Sequence, residues 1–184
     1  MNDERSLLAA AERLATLLRE HGVNAVVIGA AALAAHGYVR FTEDIDLGVS
    51  VPVADLKGLA MAIRKAGFDA VLREPDGDDP LGGVIDVSGS FGIVQIVNFG
   101  ERFPAVIESA VADATVPMRE GAVLRIAPLE HLIALKLYAG GRRSEADVIE
   151  LLKRNPSADR EAIRARCRGY RLRGLEPLIS EADG

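Results

Sequence analysis

Residues 24–49 read NAVVIGAAALAAHGYVRFTEDIDLGV. A short apolar run breaks at Gly29, passes into small residues of helical character, stops at Gly37, and is followed by a second apolar run that carries Asp44 and Asp46. Side chains alternate along a strand, so these two carboxylates stand on one face, roughly 6.6–7 Å apart, while Ile45 and Leu47 turn to the other. Such a pair suits a metal site or a solvated face. A strand that enters a helix at Gly29-Ala30 leaves backbone N–H groups free at the helix start, and small residues let an anion approach them. If the two strands are neighbours, the carboxylates face the same opening and can hold one or two Mg²⁺ ions against a phosphate chain. Arg40 and Thr42 continue the two-residue period, so Arg40, Thr42, Asp44 and Asp46 are expected on one face, with Arg40 neutralising phosphate charge. An ion pair of Arg40 with Glu43 or Asp44 is the competing reading.

Outward from this stretch, Leu7, Ala11, Leu14 and Leu18 form one helical stripe ending near Gly22, and VADLKGLAMAIRKAGF predicts a helix with Leu56, Leu59, Ala60 and Ile63 on one face. After Gly67 the period becomes two. FDAVLRE, GGVIDVSG and GIVQIVNFG read as strands, the last two forming a hairpin around Ser88–Phe91 in which opposed residue numbers sum to about 181. EPDGDDP is a polar loop, FPAVIESAVAD a helix, and TVPMREGAVLRIA a second hairpin around Glu120 and Gly121. Pro128 opens a helix, PLEHLIALKLYAGG, and the pattern is helical again from Ser144. The fold class is therefore α/β (α+β), a small mixed sheet flanked by helices, with residues 1–127 as the core and 128–184 as a C-terminal helical part.

Composition supports a packed core: 184 residues, 49% hydrophobic and 27% charged. The apolar run Ala25–Ala35 is too short to span a membrane. Charges at Asp3, Glu4, Arg5, Glu12 and Arg13 spoil a signal peptide, and Cys167, the single cysteine, has no internal disulfide partner, so a reducing cytoplasm is expected. Residues 1–130 carry 11 Lys/Arg against 19 Asp/Glu, whereas residues 131–184 carry 11 against 8. The C-terminal basic charge reads as a solvated helical face, because an acidic whole opposes tight nonspecific binding of nucleic acid.

With these residues in place, the chain resembles the nucleotidyltransferase superfamily of the DNA polymerase beta type, in the branch of bacterial minimal nucleotidyltransferases and abortive-infection toxins. The matching features are the Gly29-Ala30 turn, the run from Arg40 to Asp46, and PLEHLIALKLYAGGRRSEADVIELL downstream. The resemblance implies that the turn binds the phosphates of a nucleoside triphosphate, that Asp44 and Asp46 bind Mg²⁺, and that Lys136 reaches the triphosphate. It implies transfer of a nucleoside monophosphate to a hydroxyl of RNA, protein or a small molecule, with a place in a toxin–antitoxin module beside a cognate partner.

Two positions depart from the family pattern. Ala30 stands where glycine or serine is usual. Gln95 stands where a third carboxylate is expected, and an amide cannot act as a base. The predicted hairpin register places Asp86 opposite Gln95, so Asp86 is the candidate replacement; without it, a degenerate nucleotide-binding or protein-interaction module is the alternative. Tyr38 and Phe41 are the aromatics nearest a nucleobase. Ser144 to Asp147 fits a capping box, and His21, His36 and His131 lack a second ligand at metal spacing.

Overall fold

The computed structural model describes residues 2–40, 42–77 and 80–184; Phe41 lies outside them. Helix α1 (Asn2–Glu20) leads to strand β1 (Val26–Ile28), which turns at Gly29 directly into α2 (Gly29–Ala35). Strand β2 (Asp44–Val49) is followed by a 3-10 turn and α3 (Leu56–Lys65), then β3 (Asp69–Arg73) and the hairpin of β4 (Val84–Gly89) and β5 (Gly92–Asn98). Helices α4 (Pro104–Asp113), α5 (Leu129–Ala139), α6 (Gly141–Arg154), α7 (Arg160–Gly169) and α8 (Leu175–Asp183) complete the chain.

The strands form one mixed sheet in the order β1-β2-β5-β4-β3. β1 is antiparallel to β2, β2 is parallel to β5, and the remaining pairs are antiparallel. Helices α1 and α3 pack on one face, where alternation sends Ile45 and Leu47. The expected apolar faces are buried: Ala11, Leu14 and Leu18 on α1, and Leu56, Leu59, Ala60 and Ile63 on α3. Each of the leucine and isoleucine side chains removed from water contributes about 1.5–3 kcal/mol. Ile107 of α4 lies over Gly48 on the opposite face, which has no room for a Cβ there. The core is continuous from Ala10 of α1 to Ile179 of α8.

At the far end of the sheet Asn98, fully buried, stitches three segments together: Val51 N and Gly100 N donate to its Oδ1, and its Nδ2 donates to Val51 O and Gly82 O. The hairpin expected around Glu120 is present as a short one: Pro117 bridges Arg125, Met118 N donates to Leu124 O and Ile126 N to Val116 O, while Ile126 also bridges Val27 of β1. One local expectation is corrected. The last long helix starts at Gly141 rather than Ser144, since Gly140 and Gly141, at φ of 65° and 79°, turn a tight corner directly out of α5. Among the described residues no helix is long and apolar enough to cross a membrane.

Candidate functional site

The junction of β1 and α2 decides the geometry. Gly29 takes φ of +62°, the left-handed region in which glycine is unstrained. A Cβ there would lie 1.7 Å from Asp46 Oδ2, so a side chain at position 29 and the observed carboxylate exclude each other. The β1–β2 register puts Ile28 opposite Asp46, which brings the carboxylate onto the turn. The first amides of α2 have no partner within the helix, and no acidic residue occupies its first turn.

Asp46 is half-buried, and its pKa is raised from 3.8 to about 6: burial contributes most, the neighbouring Asp44 adds to it, and Lys136 opposes both. Two carboxylates thus share a confined space at the cost of mutual repulsion, which is the donor set and charge that a divalent cation satisfies. Asp44 is fixed locally. Thr42 Oγ1 donates to its carboxylate, and Asp44 N lies 3.4 Å from the same hydroxyl.

Arg40 and Thr42 precede β2 instead of extending it, so the expected four-residue face is reduced to Asp44 and Asp46. Arg40 pairs with neither Glu43 nor Asp44 in the described contacts; its Nη1 reaches Asp147 Oδ1 at 2.5 Å. Lys136 Nζ stands 2.8 Å from the other oxygen of Asp147, an ion pair outside hydrogen-bond alignment. Asp147 is therefore no helix cap: it lies inside α6, 2% exposed, and gathers a loop cation and an α5 cation beside Asp46. A signal for it was present in the sequence. Asp147 shares the stripe of Val148, Leu151 and Leu152, the buried face of α6, and an acid on such a stripe requires a partner.

The hairpin register is as expected, with Asp86 opposite Gln95, and Gln95 is in turn level with Asp46. The three side chains share one sheet face. Asp86, however, is two strands from Asp46, and its carboxylate is forked by Arg73, Nε to Oδ2 at 2.6 Å and Nη2 to Oδ1 at 2.9 Å. Gln95 Nε2 donates to Asp86 Oδ1 at 2.6 Å. The structure thus brings Gly29, Ala30, Asp44, Asp46, Lys136 and, through Asp147, Arg40 to one end of the sheet, with Gln95 and Asp86 continuing along it.

Tyr38 faces the guanidinium of Arg154, 5.4 Å from the ring centre. His36 Nε2 donates to Ala127 O at 2.8 Å. His131 has two acidic neighbours that the sequence did not reveal: its imidazole and the carboxylates of Asp113 and Glu130 lie within 4.8 Å of one another. Its Nε2 donates to Asp113 at 2.9 Å, and Asp113 is also held by Arg166 at 2.8 Å. Those bonds, His131 first, lower the Asp113 pKa.

No protein-family model and no curated protein matches the sequence. Solved structures do match. A nucleotidyltransferase-like protein from Paracoccidioides brasiliensis is 17% identical over 97% of this chain and 92% of its own, with a TM-score of 0.55. The antibiotic-resistance factor ANT(2'')-Ia in solution is 14% identical over 91% and 92%, with a TM-score of 0.52. Its crystal form in complex with adenylyl-2''-tobramycin has the same identity and TM-score over 89% and 96%. At these identities the likeness is one of fold.

Proposed function

From a chain that has the nucleotidyltransferase fold, we propose that it binds an Mg²⁺–nucleoside triphosphate at the Gly29 junction and transfers the nucleoside monophosphate to a hydroxyl, releasing pyrophosphate. The observation that carries this reading is the Asp46 carboxylate seated on Gly29 with Asp44 two residues before it. When bound, Mg²⁺ supplies charge neutralisation and alignment for an in-line displacement. Asp44 and Asp46 hold it, the amides of Gly29 and Ala30 face the phosphates, and Lys136 and Arg40 balance their charge from the Asp147 side. The acceptor hydroxyl belongs to RNA, protein or a small molecule; the adenylylated tobramycin bound by ANT(2'')-Ia supports the last class. A toxin–antitoxin partner and a cytoplasmic setting belong to the same proposal.

A second reading, a nucleotide-binding module with little transfer, is favoured by Gln95 at the strand position beside Asp46 and by the Arg73 fork on Asp86. Incubation of the protein with labelled nucleoside triphosphates and Mg²⁺ against total RNA, protein extract and aminoglycosides separates the two. Slow labelling by the parent, faster labelling by Gln95→Asp and none by Asp44→Asn with Asp46→Asn is the expected result. Nucleotide binding with no labelling by either parent or Gln95→Asp establishes the binding module, and absence of nucleotide binding overturns both.

A further inference from the structure

The row of side chains across the open sheet face has a direction. Gln95 stands between Asp46 on β2 and Asp86 on β4, level with both. Its Nε2 is committed to Asp86 Oδ1 at 2.6 Å. Arg73, on β3, grips the same carboxylate from the far side through both oxygens. A carboxylate paired with a guanidinium accepts hydrogen bonds and does not donate them, so it takes the –NH₂ end of a neighbouring amide; the carbonyl end would set oxygen against oxygen. The two ends of an amide diverge from one carbon. With nitrogen held toward β4, Oε1 is turned away from Asp86, and the neighbouring strand on that side, β2, is the one that carries Asp44 and Asp46.

Resting on the nucleotide-site reading above, we infer that Gln95 Oε1 is a neutral oxygen ligand for the cation of Asp44 and Asp46, and that Asp86, clamped by Arg73, is the positioning residue that presents it. Side-chain amide oxygens are competent ligands for hard cations. Groups behind a ligand that fix its orientation commonly matter about 10- to 100-fold in metal affinity. The arrangement also gives Asp86 a task suited to its place. Two strand spacings, about 9.5 Å, separate it from Asp46, so it acts on the site through the amide between them. Arg73 and Asp86 belong to β3 and β4, and the orienting contact therefore runs across the whole sheet edge to the metal side.

Mn²⁺ binding by the full chain, with and without a non-hydrolysable ATP analogue, tests this by calorimetry or by the electron-spin signal of the metal. Asp86→Asn keeps its oxygen on Arg73 and turns an –NH₂ to Gln95, which draws Oε1 toward β4 and away from the metal side, and is expected to weaken Mn²⁺ binding about tenfold. Gln95→Leu, which deletes the oxygen, is expected to do the same. The double variant should be no weaker than Gln95→Leu alone, because Asp86 acts through that oxygen, and Asp86→Glu should restore most of the affinity. Parental affinity in Asp86→Asn, or losses that add in full in the double variant, overturns the inference. Melting curves are recorded for every variant; if Asp86→Asn melts early, binding is compared at a temperature at which parent and variant are both folded, and the loss must persist there. A parent that binds no Mn²⁺ with nucleotide overturns the nucleotide reading as well, whereas a binding parent with an indifferent Asp86→Asn overturns this inference alone.

Discussion

Asp46 is the residue at which folding and ligand binding oppose each other. In the unfolded chain its carboxyl ionises near 3.8, and in the folded protein near 6. The folded state therefore binds this proton more tightly, so the contribution of Asp46 to stability is fully present below about pH 4 and is lost as pH rises through about 6; the difference corresponds to about 3 kcal/mol. Asp46→Asn removes that opposition. It is expected to raise the melting temperature of the ligand-free protein at about pH 8 and to leave it unchanged at about pH 4, while weakening Mg²⁺–nucleotide binding. In the parent, affinity for the cation should climb with pH through about 6 as metal and proton compete for the carboxylate. Thermal melts across that range, with and without Mg²⁺ and nucleotide, check both statements; a variant less stable at high pH contradicts the assignment of the shift to burial and Asp44. Gly29 makes the arrangement possible. Any Cβ at that position displaces the Asp46 oxygen, so even alanine there would remove the carboxylate from the turn.

At the scale of elements, α6 is secured to the site by Asp147, whose partners come from the loop before β2 and from α5. Removing the charge strips Arg40 and Lys136, each 20% exposed, of their ion pairs with Asp147, and leaves Lys136 the attraction of Asp46. Asp147→Asn is expected to cost about 3 kcal/mol in urea unfolding, the lower end of the range for a broken buried pair, because both cations retain some contact with water. A change below about 0.5 kcal/mol, the size of an ordinary surface substitution, would show that water satisfies the cations unaided. Asp147 also shows where sequence reading stopped. Local periodicity sufficed for α3, whose four expected apolar residues are all buried, and the hairpin register followed from turn length, which paired Asp86 with Gln95. The Arg40–Asp147 pair spans 107 residues, and no period encodes a contact of that range. The capping-box reading failed for a related reason: Ser144 to Asp147 has the right letters, but the double-glycine corner had already started α6 at Gly141. For Glu120 the turn and hairpin were visible, while the added bridge of Ile126 to Val27 of β1 was not.

Across the whole molecule, charge is segregated and part of it is paired internally. The C-terminal segment carries the excess of basic residues, yet Arg160 pairs with Asp183, Arg164 with Glu176, Arg166 with Asp113 and Arg168 with Glu161. Arg154 meets Glu150 and lies over Tyr38. A phosphate contact at these paired arginines would first break an internal pair. Tyr170, an aromatic in this segment, packs edge-on against Phe103, with its hydroxyl toward His131, so it offers no open ring for a base to stack on. The basic segment should therefore be a rim and not a nucleic-acid platform, and an RNA acceptor, if that is the substrate, should enter over the sheet face of Asp46 and Gln95. Fluorescence anisotropy with a single-stranded RNA oligomer is expected to show weak binding that collapses between about 0.05 and 0.2 M salt, since nonspecific affinity depends on counterion release. Arg164→Ala with Arg168→Ala should barely alter that slope, because the paired arginines contribute few released ions; the same change would also leave Glu161 and Glu176 unpaired and so slightly favour further repulsion of RNA. Tight binding that persists at high salt, or a slope cut by two or more on mutation of these arginines, would establish the segment as a nucleic-acid surface and move the acceptor to that side of the molecule.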